Sequence, residues 1–310
     1  MIRYSDLNTY LKECFGKKVY KLSLDAGFTC PNRDGTLDTR GCSFCSAGGS
    51  GDFAASRQLS VTEQIQDARA RIRGKLPKNG EVGYLAYFQA FTNTYAPVDE
   101  LRKIYEEAMN APEVVALSIA TRPDCLQPEV VALLEELNRR KPIFVELGLQ
   151  TMHEESAVRI RRGYSTEVFE DAVRRLSAAG IKVVVHLILG LPYETKEDML
   201  ASVRYVCEQP IHGIKLQLLH LLEGTDMGEE YKAMSEEERT KAFACLEMGE
   251  YLDMVAECLK IIPPSVVVHR LTGDGPKKIL IAPEWSGNKK AVLNALNAKI
   301  NGALTTKERM

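Results

Sequence analysis

The stretch that decides the fold of this chain is the loop Cys30-Pro-Asn-Arg-Asp-Gly-Thr-Leu-Asp-Thr-Arg-Gly-Cys42-Ser-Phe-Cys45. It contains three of the eight cysteines, and Cys42 and Cys45 form a C-x-x-C pair whose thiolates can reach one metal centre. The eleven residues between Cys30 and Cys42 are rich in turn formers, so the chain can fold back on itself there. The sequence has no second C-x-x-C pair. Three thiolates without a fourth predict a metal centre with an open coordination position.

The residues around this loop resemble a known superfamily. A cysteine triad that ends in C-x-aromatic-C, after the first strand of an alternating β/α chain, is similar to the cluster loop of radical SAM enzymes. The wide first gap resembles the group related to the Elongator catalytic subunit. The fuller motif Asp25-Ala-Gly-Phe-Thr-Cys30-Pro-Asn-Arg-Asp-Gly resembles the short YhcC/YtqA-like family within that group. A zinc site with a distant fourth ligand and a redox dithiol are the alternatives.

Length and composition favour one globular α/β domain. The chain has 310 residues and a hydrophobic fraction of 45%, with no stretch that approaches the roughly 20 apolar residues of a membrane span. The N-terminus lacks a signal-peptide pattern, so we expect a cytoplasmic protein without a membrane segment. Residues 1–80 carry thirteen Lys and Arg against eight Asp and Glu, and the segment from Ser286 to Arg309 is also basic. These basic segments at the two ends of the chain could bind a polyanion, and the alternative interpretation is that they are ordinary solvated surface.

Apolar periodicity predicts six β–α repeats followed by a further strand. The predicted strands span residues 20–24, 84–88, 114–119, 143–149, 181–189, 213–219 and 265–269. Capping boxes at Ser60, Thr195 and Ser235 predict helix starts, the last of them for a long acidic helix, and Gly180 predicts a helix end.

Six repeats fall short of the eight that close a full barrel. The sequence therefore predicts a partial (β/α)6 barrel with an additional strand and a C-terminal extension. We expect a single domain over residues 1–310. It would comprise an N-terminal helix in 1–19, the barrel core in 20–225, and a C-terminal helix, last strand and extension in 226–310.

Polar residues follow the predicted strands one after another. The strand-end residues are Cys30, Gln89, Thr121, Gln150, Gly190 and His220. Because ligands bind at the carboxyl ends of parallel strands, we expect these residues to surround one opening. Glu146 stands inside an apolar strand and needs a partner, since charged groups are rarely buried alone.

The resemblance implies roles for these residues. Cys30, Cys42 and Cys45 would hold three irons of a [4Fe–4S] cluster, and the fourth iron would bind the amino and carboxylate groups of S-adenosylmethionine. One electron would then cleave the cofactor to give a 5′-deoxyadenosyl radical. The residues expected around the cofactor are Phe44, Gln89, Glu146, Gln150, Arg162 and His186.

Near the same opening, we expect His220, Arg122 and Asp124 to contact the substrate. Core packing is the alternative for Phe44 and His186, and surface charge is the alternative for Arg162. A further prediction, that Cys125 donates hydrogen to a product radical, competes with an inert buried thiol.

The resemblance also implies a substrate, because the Elongator-related group acts on the wobble uridine of tRNA. We expect a tRNA base as substrate and a flavodoxin or ferredoxin as electron donor. The acetyltransferase domain of Elongator is not expected, since the chain ends soon after the barrel. Trp285, near Lys289 and Lys290, is either a stacking platform for RNA or a core anchor. The alternatives for function are a radical enzyme that acts on a metabolite or protein side chain, and a non-catalytic iron–sulfur or zinc protein.

Overall fold

The computed structural model describes residues 2–77, 80–273 and 275–302, so Arg309 and the rest of the predicted extension after residue 302 lie outside the described residues. The strands are β1 (Ser5–Asp6), β2 (Lys18–Leu24), β3 (Val82–Phe88), β4 (Val114–Thr121), β5 (Ile143–Gln150), β6 (Lys182–Leu189), β7 (Gly213–Leu218), β8 (Leu221–Leu222), β9 (Val267–Arg270) and β10 (Leu280–Ala282). The helices are α1 (Leu7–Phe15), α2 (Val61–Ile72), α3 (Val98–Asn110), α4 (Pro128–Asn138), α5 (Glu154–Arg159), α6 (Thr166–Ala178), α7 (Lys196–Glu208), α8 (Asp226–Ala233), α9 (Glu236–Ala242), α10 (Met248–Ile261) and α11 (Lys289–Gly302).

Eight of the strands form one parallel sheet in the order β1-β9-β7-β6-β5-β4-β3-β2. Strands β2 to β7 lie side by side in chain order, with helices between them, which is the arrangement of successive β–α repeats. The sheet curls into a half-barrel and ends in two edges. The predicted partial (β/α)6 barrel is confirmed, and the additional strand is β9, which pairs with β7. The two-residue strand β1 was not predicted, because so short a segment carries no periodicity.

One hydrophobic core joins the barrel to the C-terminal helices. The largest cluster of buried apolar side chains includes Leu22 of β2 and extends to Val292, Leu296 and Ile300 of α11. Strand β6 is buried along almost its whole length, as expected for a parallel strand covered by helices. The cavity is lined by side chains at the strand ends and in the loops, together with polar strand side chains that face the barrel interior.

Local capping interactions form as predicted. Ser60 accepts a hydrogen bond from the Glu63 N–H at the start of α2, and Thr195 does the same for Asp198 at the start of α7. Gly180 follows α6 with a φ of +69°, a conformation that glycine adopts without strain. These interactions involve residues three or four apart, so the sequence alone predicts them.

The long acidic helix predicted after Ser235 is wrong. The capping box forms, but α9 contains only seven residues and a separate helix, α10, begins at Met248. The loop after β6 interrupts the helix, because the Tyr193 N–H donates to the Ala242 carbonyl at 2.6 Å. Cys245 then turns the chain with a φ of +63°.

Trp285 anchors the C-terminal segment. Its indole N–H donates to the Leu246 carbonyl at 2.6 Å, and its ring lies 5.7 Å from the ring of Tyr251. Nearby, β10 pairs with β8 in a two-stranded antiparallel sheet that the sequence did not predict. These contacts favour the core-anchor interpretation of Trp285. Among the described residues, no helix combines the length and apolar character needed to cross a bilayer.

Candidate active site

The loops after the strands enclose a cavity of about 340 Å³ at the carboxyl ends of the sheet. Of the twelve residues predicted for the site, eleven line this cavity, namely Cys30, Cys42, Phe44, Cys45, Gln89, Arg122, Glu146, Gln150, Arg162, His186 and His220. Asp124 is the exception. Of the other strand-end residues, Thr121 lines the cavity, whereas Gly190 is outside the lining and turns the chain with a φ of +88°.

The cysteine loop folds back on itself through backbone hydrogen bonds. The Cys30 carbonyl accepts from the Arg33 N–H at 2.7 Å, and the Asn32 carbonyl accepts from the Gly41 N–H at 2.7 Å. Gly41 has a φ of +79°, and a Cβ atom there would lie 2.9 Å from Arg33 Nε. The turn therefore requires glycine, and it brings Cys30 and Cys42 to the wall of the same cavity.

The three cysteines of the loop are half-buried, and Cys42 and Cys45 have polar neighbours. Asn32 Nδ2 lies 3.4 Å from Cys42 Sγ, and Ser50 Oγ lies 3.9 Å from Cys45 Sγ. Burial raises the pKa of the Cys42 thiol to about 12, and the adjacent Cys45 raises it further. Burial also raises the pKa of Cys45. A bound metal deprotonates a coordinating thiol, and donors beside the sulfurs tune an iron–sulfur centre.

The cysteine set fits an iron–sulfur cluster in its chemistry. All three are free thiols on the wall of one cavity. Among the described residues, no three His, Cys, Asp or Glu side chains converge on the position of a single metal ion. A [4Fe–4S] cluster does not require the thiolates to converge on one position, because each thiolate binds a different iron.

Two glutamine amides, at the ends of β3 and β5, line the cavity together with the cysteines. Gln89 Nε2 donates to the Ser50 carbonyl at 2.7 Å. Gln150 has a φ of +69°, and its buried Oε1 has no hydrogen-bond partner among the described residues. A buried acceptor without a donor is unfavourable unless a ligand supplies one. The amino group and ribose hydroxyls of S-adenosylmethionine are such donors, so the residues present fit this cofactor.

Other polar residues after β3 and β4 hold the loops together. Asn93 Nδ2 donates to the carbonyls of Phe88 at 3.1 Å and Ala120 at 2.8 Å. The Thr94 hydroxyl donates to the Cys125 carbonyl at 2.6 Å. Cys125 is itself buried outside the cavity lining, and burial raises its pKa to about 12. Its position suits an inert thiol better than a hydrogen donor.

Arg162 lies at the cavity wall with only 1% of its surface exposed. The guanidinium donates to the carbonyls of Leu149, Thr151 and Tyr164, to Glu154 Oε1 and to Thr166 Oγ1, at distances from 2.8 to 3.2 Å. An arginine has five N–H donors, and all five are used here. This geometry leaves none for a cofactor carboxylate, in contrast to the predicted direct contact. Arg162 instead holds the loop that follows β5.

Arg122 is oriented by its neighbours. Its Nε and Nη2 donate to the two carboxylate oxygens of Asp124 at 2.9 and 2.7 Å, and its Nη1 donates to the Arg162 carbonyl at 2.9 Å. Asp124 therefore holds Arg122 from outside the cavity, where the sequence predicted a substrate contact. Farther along the wall lies His220, and a Cβ atom on Gly273 would lie 2.9 Å from its ring.

Charged and polar side chains form a cluster in the barrel interior, which we call the interior cluster. Its members are Lys21, Tyr87, Ser118, Glu146, His186, Lys215, Gln217 and Arg270. Glu146 is at its centre, with Oε1 3.3 Å from Lys21 Nζ and Oε2 2.7 Å from His186 Nε2. Lys215 Nζ also pairs with Glu146 Oε2. These contacts supply the partners that Glu146 needs.

The interior cluster sets the charge states of Glu146 and His186. Burial alone would raise the pKa of Glu146, but the charges of Lys21 and Lys215 and the hydrogen bond from His186 hold it well below its usual value. Burial, aided by the charge of Lys215, lowers the pKa of His186 to about 4. The neutral ring donates Nε2–H to Glu146 and accepts at Nδ1 from Gln217 Nε2 at 3.2 Å. Its orientation and tautomer are thus fixed at the cavity wall.

Sequence reasoning missed the two lysines and Arg270. A signal was present for Lys215, which stands in an apolar strand just as Glu146 does, whereas Lys21 occupies the polar phase of its strand, opposite to Leu22 and Leu24. Opposite charges in two apolar strands of one sheet predict a buried pair.

Comparison with known proteins identifies the family. A model described as the Radical SAM superfamily matches residues 39–206, and a Radical_SAM C-terminal domain matches residues 211–301. The chain is 47% identical over 298 residues to the protein YtqA of Bacillus subtilis (strain 168), covering 96% of this chain and 89% of that protein. It is 29% identical over 208 residues to a tRNA uridine(34) acetyltransferase of Methanocaldococcus jannaschii, covering 64% of this chain and 34% of that protein.

The fold also matches a solved structure, the archaeal Methanocaldococcus infernus Elp3 with an N-terminal deletion. The TM-score is 0.65 at 18% identity, and the match covers 91% of this chain and 63% of that one. At this identity the likeness concerns the fold alone. Because the superfamily model spans more than half of the chain and YtqA aligns along nearly all of it, this protein belongs to the radical SAM superfamily.

Proposed function

We propose that this protein is an enzyme that binds a [4Fe–4S] cluster through Cys30, Cys42 and Cys45 and cleaves S-adenosylmethionine reductively. The observation that carries the proposal is a shared cavity: the three thiols and the unpartnered Oε1 of Gln150 line the same wall. A thiolate triad and a ligand-binding surface are thereby adjacent. When bound, the cluster and the cofactor supply a 5′-deoxyadenosyl radical, which abstracts hydrogen from a substrate.

The chain's own side chains bind and orient. Gln150 would accept a hydrogen bond from the cofactor, and Gln89, which follows β3, donates its amide N–H to the Ser50 carbonyl. Phe44 lines the cavity between two cysteine ligands and excludes water from that side. Glu146 and His186 form a rigid polar wall, because each is held by the other. Arg122 and His220 face the remaining space and are assigned to the substrate.

Arg162 acts indirectly in this proposal. Its backbone carbonyl accepts from Arg122, and Asn32 beside Cys42 donates to the Arg161 carbonyl at 2.7 Å. We call the five hydrogen bonds of the Arg162 guanidinium the Arg162 clamp. By holding the loop that follows β5, the clamp fixes both the Arg122 side and the cysteine side of the cavity. We assign it a positioning role.

The test of the proposal is anaerobic reconstitution. We expect about four irons per chain and release of 5′-deoxyadenosine that depends on a reductant such as a flavodoxin or ferredoxin system. Cys42→Ala should abolish both, whereas Cys14→Ala, a change at an exposed cysteine on α1, should abolish neither. Stoichiometric zinc after reconstitution, or undiminished 5′-deoxyadenosine release by Cys42→Ala, would refute the assignment.

For the substrate we propose a tRNA wobble uridine. The support is the similarity to a tRNA uridine(34) acetyltransferase, which covers only about a third of that protein. A single-stranded anticodon loop lets a base reach a buried reactive atom at little cost in unstacking. The check is nucleoside mass spectrometry of tRNA from cells that lack the gene. An unaltered set of wobble uridines would leave a metabolite or a protein side chain as the substrate.

A further inference from the structure

The interior cluster contains more positive than negative charge. Its cations are Lys21, Lys215 and Arg270, and among the described residues the only carboxylate within ion-pair distance of the two lysines is Glu146. Both lysines pair with that one carboxylate. Burial of charge is unfavourable unless the charge is paired. The cluster as a whole therefore favours one more anion.

Arg270 is the cation that faces the cavity. It ends strand β9, is half-buried, and lines the cavity together with Tyr87, His186 and Gln217. Its guanidinium makes no hydrogen bond or ion pair with any described residue, whereas Lys21 and Lys215 are both committed to Glu146. A lysine can also relieve crowding of positive charge by losing its proton. An arginine cannot, because it stays protonated in proteins.

Arg270 enters the cavity from a different strand than the three cysteines that we assign to the cluster. Cys30 follows β2, which is one edge of the sheet, while β9 lies near the opposite edge, beyond β7. The half-barrel curls so that both ends reach one cavity. A cofactor whose carboxylate chelates a cluster iron keeps that carboxylate on the cysteine side. The Arg270 side is left for the molecule that reacts.

We propose that Arg270 forms an anion subsite that receives a carboxylate or phosphate group of the substrate. The fork of two parallel N–H donors in a guanidinium matches either oxyanion. A phosphate would come from a nucleotide, and a carboxylate would come from a small organic acid. The existence of the subsite is independent of the proposed function, but its assignment to the substrate rests on it.

The experiment titrates the reconstituted protein with inorganic phosphate and with malonate at constant ionic strength, in saturating S-adenosylmethionine. Isothermal calorimetry gives the dissociation constants. Wild-type protein should bind at least one of the anions, and Arg270→Gln should weaken that binding on the order of tenfold or more, as expected for loss of a charged hydrogen bond. Arg270→Lys should retain part of the affinity, because the charge remains. Arg139→Gln, at an exposed arginine that follows α4, should leave the affinity unchanged.

Stronger binding of phosphate would identify a nucleotide source, and stronger binding of malonate would identify a small carboxylate. Equal affinities in wild type and Arg270→Gln, or no binding of either anion by wild type with or without S-adenosylmethionine, would overturn the subsite. Anion binding that occurs without S-adenosylmethionine and is lost in its presence would overturn the assignment to the substrate. Anion binding without 5′-deoxyadenosine release from wild-type protein would remove the proposed function and keep the subsite. Release of 5′-deoxyadenosine without anion binding would overturn the subsite and leave the proposed function in place.

Discussion

The Arg162 clamp makes a strong prediction about stability. A lysine at this position has three donors where the arginine has five, so Arg162→Lys loses at least two hydrogen bonds to buried acceptors. Each hydrogen bond to a charged group contributes about 1.5–3 kcal/mol, which sums to roughly 3–6 kcal/mol for two. Because only 1% of Arg162 is exposed, solvent does not screen this loss.

Thermal unfolding followed by circular dichroism measures the effect. At about 2 °C per kcal/mol for a chain of this size, Tm should fall by roughly 6–12 °C. Arg159→Lys is the matched control in the same connection between β5 and α6, since Arg159, at the end of α5, is exposed and makes a surface ion pair with Glu230 at 3.2 Å. Its Tm should stay within about 1–2 °C of wild type, as for most surface substitutions.

The binding of S-adenosylmethionine distinguishes a clamp from a direct ligand. If Arg162 positions the loops, Arg162→Lys should lose stability and cofactor affinity together. An unchanged Tm with a weakened dissociation constant would refute the clamp. That result would restore the direct carboxylate contact that the sequence predicted.

Three further predictions follow from packing and charge. Trp285→Ala should lower the free energy of unfolding by roughly 2–3 kcal/mol, because a partly buried indole and its hydrogen bond are lost; weaker tRNA binding at an unchanged Tm would contradict the core-anchor role. Burial, together with the charge of Lys182, lowers the pKa of His212 to about 4, below the value near 6.5 of an unfolded histidine. Protons therefore bind the unfolded state first, and stability falls as the pH drops from about 6.5 towards 4. In urea denaturation, His212→Gln should make stability less dependent on pH over this range. An unchanged pH profile would exclude His212 as the source of the dependence. Replacing Lys289 and Lys290 by glutamine should reduce the slope of log tRNA affinity against log salt by about two, and an unaltered slope would place the RNA elsewhere.

Features that depend on near neighbours in the chain were predictable from the sequence. The boundaries of strands β2 to β7 were predicted to within two residues, because an apolar strand differs in composition from the turns beside it. The capping boxes at Ser60 and Thr195 involve residues three apart. The metal centre was predicted directly from the spacing of Cys42 and Cys45, since two intervening residues allow both thiolates to bind one metal centre.

Features that depend on the curl of the sheet were not predictable in the same way. Lys21 and Lys215 meet Glu146 across 125 and 69 residues of chain, and only the side-by-side order of six strands brings them together. The sequence marked Glu146 as a charge in need of a partner, but not which partner it would find.

Arg162 shows the same division most clearly. The sequence by itself determined that an arginine follows the fourth barrel strand, near the opening where ligands bind. Only the tertiary structure decided that three backbone carbonyls, Glu154 and Thr166 would occupy its donors. The physical reason is that the positions of the unpaired carbonyls at a strand end depend on how the next loop folds. A side chain's hydrogen-bonding capacity is a property of its type, whereas its remaining capacity for a ligand depends on the whole fold.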